Sequence, residues 1–184
     1  MLDVQGDKAL LLTKDIIEKE CPYNWPPADV TWETCSMRKY LNTEFLKKFS
    51  DEDRKRIVLT KNTNSGNLWH GTPGGNDTDD KVFLLSIEED DRYFGNSEDY
   101  LNKKRSSHDV VTETHFLAEN GGFLINAYDN ARKCGDYYSW WLRSPGKNKS
   151  SAAYVEGEGK ISVGGTLVNI GGGVKVRPAL WLKL

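Results

Sequence analysis

Short apolar runs separated by turn-forming residues predict β-strands near both ends of the chain and in its middle. Near the start, Lys8–Ile17 is apolar and partly β-branched, which is typical of a strand. The continuous apolar run in Lys81–Leu85 predicts a buried strand. Between these two segments, Asn62–Asp80 is rich in Asn, Gly, Thr and Asp, and it predicts a long loop.

The last third of the chain has the clearest strand pattern. Trp140–Arg143 is an apolar run that ends at Ser144-Pro145-Gly146. Further runs follow between glycine turns, and they span Ala152–Val155, Lys160–Val163, Thr166–Ile170 and Val174–Leu182. Short strands joined by glycine turns are typical of an antiparallel meander.

Capping signals predict the helices. Thr31 is a candidate N-cap for a helix that carries Leu41 and Phe45 on one side. Ser50–Asp53 and Ser86–Glu89 each resemble a capping box, in which a serine and an acidic residue three positions later bind each other's backbone amides. Two or three short helices followed by a meander indicate an α+β domain rather than an alternating parallel sheet.

Composition narrows the class of protein. The 184 residues suit a single domain over 1–184, alone or as a fragment of a longer protein. With 25 Lys and Arg against 27 Asp and Glu, the chain lacks the basic excess of a nucleic-acid binder. No apolar run is long enough to cross a membrane, so we expect no membrane insertion. The start shows no signal peptide, which leaves a cytoplasmic protein or part of a surface or phage protein as alternatives.

No cofactor, metal or catalytic site is predicted. Cys21, Cys35 and Cys134 show no metal-ligand spacing, and the three histidines form no pair at helical spacing. A weak candidate Ca²⁺ loop lies at Asn76, Asp77, Asp79 and Asp80. It lacks the EF-hand register, so turn chemistry before a strand is the favoured interpretation.

Arginines in apolar surroundings are the most unusual local feature. A guanidinium among Trp and Pro residues can stack on rings and donate to backbone carbonyls. We interpret these groups as structural clamps, with ligand binding as the alternative. The residues assigned this structural role are Trp32, Arg38, Trp140, Trp141, Arg143, Arg177 and Trp181.

The blocks Trp140–Gly146 and Val174–Leu184, with Thr31–Asn42 and Asp80–Ser86 upstream, resemble an uncharacterised bacterial family common in gut Firmicutes. That family is related to the formylglycine-generating-enzyme branch of the C-type lectin fold. The resemblance implies short helices beside a twisted antiparallel sheet, with long irregular loops. It implies no activity.

Two departures limit what the resemblance carries. Formylglycine-generating enzymes use two closely spaced late cysteines, and here only Cys134 is late. Calcium-dependent lectins use Glu-Pro-Asn or Gln-Pro-Asp with Trp-Asn-Asp, and none of these motifs is present. Oxidase chemistry and calcium-dependent sugar binding are therefore unsupported.

The resemblance favours a non-enzymatic binding or display domain for an unknown protein or glycan, of the kind found as variable proteins of diversity-generating retroelements. The polar side of the meander would then present adaptable contacts. An ordinary solvated sheet face is an equal alternative; a structural appended domain and an enzyme with an unrecognised site are others. The candidate exposed residues are Tyr137, Tyr138, Ser139, Lys147, Asn148, Lys149, Ser150, Ser151, Tyr154, Glu156, Glu158, Lys160, Ser162, Thr166 and Asn169.

Overall fold

The computed structural model describes residues 1–17, 21–94, 123–124, 138–157 and 159–184. In these ranges the chain combines short helices with mainly antiparallel sheets, which confirms the α+β class. No helix in the described ranges combines the length and the apolar character that a membrane span requires.

The strands are β1 (Asp3–Gln5), β2 (Lys8–Leu12), β3 (Thr60–Asn62), β4 (Thr78–Asp80), β5 (Phe123–Leu124), β6 (Ser139–Pro145), β7 (Ser151–Val155), β8 (Ile161–Leu167), β9 (Val174–Lys175) and β10 (Ala179–Lys183). The α-helices are α1 (Ser36–Tyr40), α2 (Asp51–Arg56) and α3 (Ile87–Phe94). A π-helical turn (Leu41–Phe45) and a 3-10 turn (Leu46–Lys48) continue α1.

Both predicted capping boxes begin helices. At α2 the Ser50 hydroxyl accepts from the Asp53 amide at 3.1 Å. At α3 the Ser86 hydroxyl accepts from the Glu89 amide at 3.1 Å, and the Glu89 carboxylate accepts from the Ser86 amide at 3.0 Å. The prediction for α1 was wrong, because Cys35 caps that helix through its sulfur and Thr31 begins only a preceding turn.

Strands from the two ends of the chain form one small sheet in the order β1-β2-β10. All its pairs are antiparallel, with Leu12 opposite Ala179 and Lys8 opposite Lys183. The predicted strand at Lys8–Ile17 is thus only partly correct, since its regular part ends at Leu12.

The predicted strand at Lys81–Leu85 was wrong in geometry although Val82–Leu85 is fully buried. Phe83 makes an isolated bridge to Ala179, while the Asn42 side chain binds the Lys81 and Val82 amides. Hydrogen bonds to distant residues therefore replace a strand ladder in this segment. Its backbone can be buried without a ladder because these bonds pair its polar groups.

A second sheet has the order β5-β8-β7-β6-β9. Strands β6, β7 and β8 form the predicted antiparallel meander, but the extent of β8 differs from the prediction. The runs that were predicted as separate strands around Gly164-Gly165 form the single strand β8. Gly165 has φ +66° against the Ala152 carbonyl, a bulge geometry that favours glycine.

The end of the chain also departs from the meander. Strand β9 pairs with β6 in parallel, with Ser139 opposite Val174, and β10 then leaves for the terminal sheet. Arg177 and Pro178 lie between the two strands. The chain therefore connects the two sheets just before it ends.

Candidate functional site

A fully buried carboxylate ties α1 to the β3–β4 hairpin. Asp80 is 0% exposed. Its Oδ1 accepts from Arg38 Nε at 2.6 Å, and its Oδ2 accepts from Trp32 Nε1 at 3.0 Å. Asn62 Nδ2 and Thr78 Oγ1 also donate to Oδ2, at 3.0 and 2.7 Å. Because Asp80 is fully buried and both of its oxygens accept from protein donors, the Asp80 and Arg38 pair is a structural element.

A second buried charge, Arg143, joins β6 to the start of α3. Its side chain is 3% exposed. It pairs with the Glu89 carboxylate and donates to the Leu84 and Thr63 carbonyls at 2.9 and 3.1 Å. Its Nε donates to Asn64 Oδ1 at 3.2 Å. The Arg143 guanidinium therefore joins several segments of the chain, as the predicted structural role requires.

The aromatic groups pack around these charges. The guanidinium of Arg177 lies 5.0 Å from the centroid of the Trp140 ring and donates to the Thr13 carbonyl at 2.9 Å. Trp141 is fully buried and meets Tyr23 edge-on, with ring centroids 5.6 Å apart. Trp181 is also buried, beneath the ammonium of Lys8.

Two buried titratable groups beside the aromatic core are held neutral. Burial raises the pKa of the Cys35 thiol to about 12 and raises the pKa of Tyr23 well above its usual value. A thiol with this pKa stays protonated at neutral pH, and the thiolate is the nucleophilic form. Cys35 therefore acts as a helix cap and core residue.

Three consecutive predicted contact residues that are exposed form the turn between β6 and β7. Lys147, Asn148 and Lys149 are all exposed. The Lys147 amide donates to the Gly164 carbonyl at 2.8 Å, and the Lys149 carbonyl accepts from the Val30 amide at 2.9 Å. These bonds fix the backbone while the Lys147 and Lys149 side chains stay exposed to solvent.

Beside this turn lies an open groove of about 390 Å³. Lys149 forms one wall and the 29–34 loop forms the other. The groove is lined by Asp29, Val30, Thr31, Glu33, Thr34, Pro73, Gly75 and Lys149. We call this groove, together with the exposed turn Lys147–Lys149, the turn surface.

The charged side chains of the groove differ in whether other side chains bind them. Both Glu33 carboxylate oxygens accept from Asn76 Nδ2, at 3.3 and 3.1 Å. Among the described residues, none donates to the Asp29 carboxylate and none pairs with the Lys149 ammonium. The groove thus offers two carboxylates and one ammonium to a ligand.

Other residues of the predicted polar face do not form one surface. Ser151 and Ser162 are only 3% and 8% exposed, so the expectation that they face solvent was wrong. Residues on both faces of β7 are largely buried. The expectation assumed an antiparallel sheet with one face in solvent, and β7 has no such face. Ser151 instead holds the turn by accepting from the Asn148 amide at 3.1 Å.

The remaining candidates are scattered over the second sheet and its ends. Tyr138 is exposed. Tyr154 is half-buried, with its ring 6.3 Å from that of Trp141, and burial raises its pKa. Tyr137 and Glu158 lie outside the described residues, as does Cys134. Partly exposed positions are Ser139, Ser150, Glu156, Lys160, Thr166 and Asn169.

The weak calcium candidate is divided among separate partners. Asn76 donates to Glu33, Asp77 accepts from the Asn64 amide at 3.2 Å, and Asp80 is occupied by Arg38. Asp79 is exposed and contacts Arg38 only through its carbonyl. In the described part of the chain no group of three potential metal-ligating side chains comes together. Turn chemistry accounts for this loop.

Most of the groove was missed from the sequence. Asp29, Glu33 and Pro73 come from two separated loops, and only Lys149 was predicted as an exposed contact. No motif joins these residues along the chain. The hydrogen bond between Val30 and Lys149 brings the distant segments together, and such a contact has no local signal.

A family model matches residues 7–184, and the family is described as a domain of unknown function, DUF6273. The chain belongs to this family. A search of curated proteins and a search of solved structures each returned no match. The DUF6273 match runs from before β2 through β10, so it includes both the buried charged network and the turn surface.

Proposed function

We propose that this DUF6273 domain is a non-enzymatic binding or display module that recognises a protein or glycan ligand through its turn surface. The observation that carries the proposal is the exposed Lys147–Lys149 turn, whose two lysine side chains are exposed while its backbone is fixed. A backbone held in one conformation loses little further conformational entropy when the surface binds.

The turn has its own set of hydrogen bonds. The Gly146 amide donates to the Ser151 carbonyl at 2.8 Å, and the Ser150 amide donates to Asn148 Oδ1 at 3.2 Å. None of these bonds uses the Lys147 or Lys149 side chain. Both lysines can therefore be replaced without loss of the turn, which is what a scaffold that presents variable contacts requires.

The finer fold assignment is part of the proposal. Short helices, antiparallel sheets and long irregular connections agree with a C-type-lectin-like domain of the formylglycine-generating-enzyme branch. If the domain is a variable protein of a diversity-generating retroelement, its variable codons belong to exposed positions such as Lys147, Lys149 and Tyr138. They do not belong to the buried Ser151 and Ser162.

Binding is tested with glycan and protein arrays that are probed with the labelled domain. The test variant is Lys147→Ala/Lys149→Ala, and the matched control is Lys39→Ala/Lys55→Ala, which removes two exposed lysines from the helices. We expect array signals that the test variant loses and the control keeps. Signals that both variants keep, or no signal from the wild-type domain, would contradict the proposal.

The retroelement assignment has a separate genomic test. It predicts a near-identical DNA repeat near the gene that differs mainly at adenines. The differing codons should be those of exposed residues. A repeat with differences spread over the codons of Trp140 and Arg143, which are buried, would refute the division between scaffold and contacts.

A further inference from the structure

The chemistry of the groove indicates what kind of group it accepts. Asp29 and Glu33 contribute carboxylates and Lys149 contributes an ammonium, so the acidic groups outnumber the basic one. A cationic group is therefore favoured near the 29–34 loop, and an anionic group is favoured near Lys149. A ligand that satisfies both carries a positive and a negative group close together.

The carboxylates favour a guanidinium as the cation. A guanidinium presents its donors in a planar fork that matches carboxylate oxygens, whereas an ammonium is a point charge. Asn76 orients the Glu33 carboxylate through both oxygens, and each oxygen keeps a further acceptor site. Asp29 has all its acceptor sites available within the described residues.

The walls of the groove are fixed and partly apolar. The hydrogen bond between Val30 N and Lys149 O, at 2.9 Å, joins the two walls. Gly75 has φ +88° and lies so close to Thr31 that a β-carbon there would be 2.7 Å from Oγ1. Val30 and Pro73 give apolar surface for a methylene stem. A volume of about 390 Å³ is near the lower end of small-molecule sites, about 300–1,000 Å³, which suits one side chain with its backbone.

We infer that the groove binds a guanidinium that has a carboxylate beside it, as in a peptide that ends in arginine; this inference rests on the proposed function. The guanidinium lies between Asp29 and Glu33, and the carboxylate pairs with the Lys149 ammonium. Free arginine carries the same two groups, so the experiment includes it as the alternative source.

The test is a titration of the full chain followed by the NMR shifts of the amides of residues 29–34 and 149. The peptide probes are acetyl-Gly-Arg, its C-terminal amide, and acetyl-Gly-citrulline, in which a neutral urea replaces the guanidinium. Free arginine is titrated as the fourth probe. We expect saturable binding of acetyl-Gly-Arg and affinities about tenfold lower, or ~1.4 kcal/mol, for each of the other two peptides. Tighter binding of free arginine than of acetyl-Gly-Arg assigns the site to the amino acid instead of a peptide end.

Variants assign each charge to its role. Lys149→Gln should reduce the affinity for acetyl-Gly-Arg to that of the amide and leave the amide unchanged. Asp29→Asn should weaken both. The matched control Lys55→Gln removes an exposed ammonium from α2, outside the turn surface, and should change neither.

Three results would overturn the inference. The first is equal binding of the citrulline and arginine peptides, and the second is equal effects of Lys55→Gln and Lys149→Gln. The third is no saturation up to about 10 mM peptide, which corresponds to a binding free energy weaker than ~3 kcal/mol. If the arrays still show signals that depend on Lys147 and Lys149, such a result rejects the arginine ligand and leaves the proposed binding function intact. Loss of that dependence is a failure of the proposed function itself.

Discussion

Replacing Asp80 by asparagine tests whether the buried carboxylate holds α1 to the β3–β4 hairpin. Three donors converge on Oδ2, while Arg38 Nε and Asn42 Nδ2 reach Oδ1 at 2.6 and 3.4 Å. The amide oxygen of an asparagine therefore fits best at the Oδ2 site. Its NH₂ group then faces Arg38, so a donor meets a cation that has lost its counter-charge.

The expected cost follows from the burial of this pair. Breaking a buried ion pair by removing one partner costs about 3–5 kcal/mol. The lower end applies, because the Arg38 side chain is 27% exposed and keeps its bond to the Glu33 carbonyl at 3.1 Å. We expect Asp80→Asn to lower the free energy of unfolding by about 3 kcal/mol, and the melting temperature by roughly 6–12 °C for a domain of this size.

The assay is urea unfolding monitored by tryptophan fluorescence. The slope of the unfolding free energy against urea concentration should be the same for the variant and the wild-type protein, which checks two-state behaviour. Asp79→Asn is the matched control, since its exposed carboxylate lies one residue away, and it should change stability by less than about 0.5 kcal/mol. A loss below about 1 kcal/mol for Asp80→Asn, or equal losses for both variants, would refute the reasoning.

Three further predictions concern the core, the buried thiol and one glycine. Trp141→Ala should lower the free energy of unfolding by about 3–5 kcal/mol because the ring is fully buried, whereas Lys147→Ala, at an exposed position, should change it by under about 0.5 kcal/mol; urea unfolding of both variants checks this division. Burial raises the pKa of the Cys35 thiol from its ordinary value near 9 to about 12. Between these two pH values the folded protein therefore keeps a thiol proton that the unfolded chain releases. Stability should therefore be unaffected by this group below pH 9 and fall by up to ~1.4 kcal/mol per pH unit between 9 and 12; Cys35→Ala should have a shallower decline, and equal slopes would contradict the assignment. Gly74→Ala should lower the melting temperature, because its β-carbon would overlap the Asn64 carbonyl, while Gly171→Ala, with open space around it, should leave thermal unfolding unchanged.

The parts of the fold that the sequence predicted depend on local contacts. Ser50 and Ser86 each bind a backbone amide three residues away, so their patterns are sufficient to indicate the starts of α2 and α3. The β6–β7 turn was predicted for the same reason, because Ser144-Pro145-Gly146 ends a run of apolar residues. The exposed Lys147 and Lys149 of the candidate site lie in that turn.

The parts that were missed depend on contacts between distant residues. The Lys81–Leu85 segment has the composition of a strand, but its Lys81 and Val82 amides donate to the Asn42 side chain instead of to a neighbouring strand. Cys35 caps α1 through a sulfur, which is a weaker and less common acceptor than the hydroxyl of Thr31. Asp29 and Glu33 join Lys149 only because the folded chain brings their loops together. Composition alone gives no signal for such encounters.

The pairing of β2 with β10 joins residues more than 160 positions apart. During synthesis Lys8–Leu12 emerges early, and it must wait for almost all of this chain before its partner strand exists. Contacts between such distant segments are slow to form, since a large loop has to close first. Until Ala179–Lys183 is released from the ribosome, the apolar edge of β2 is open to pairing with other chains, so nascent or prematurely terminated copies are the forms most prone to aggregate.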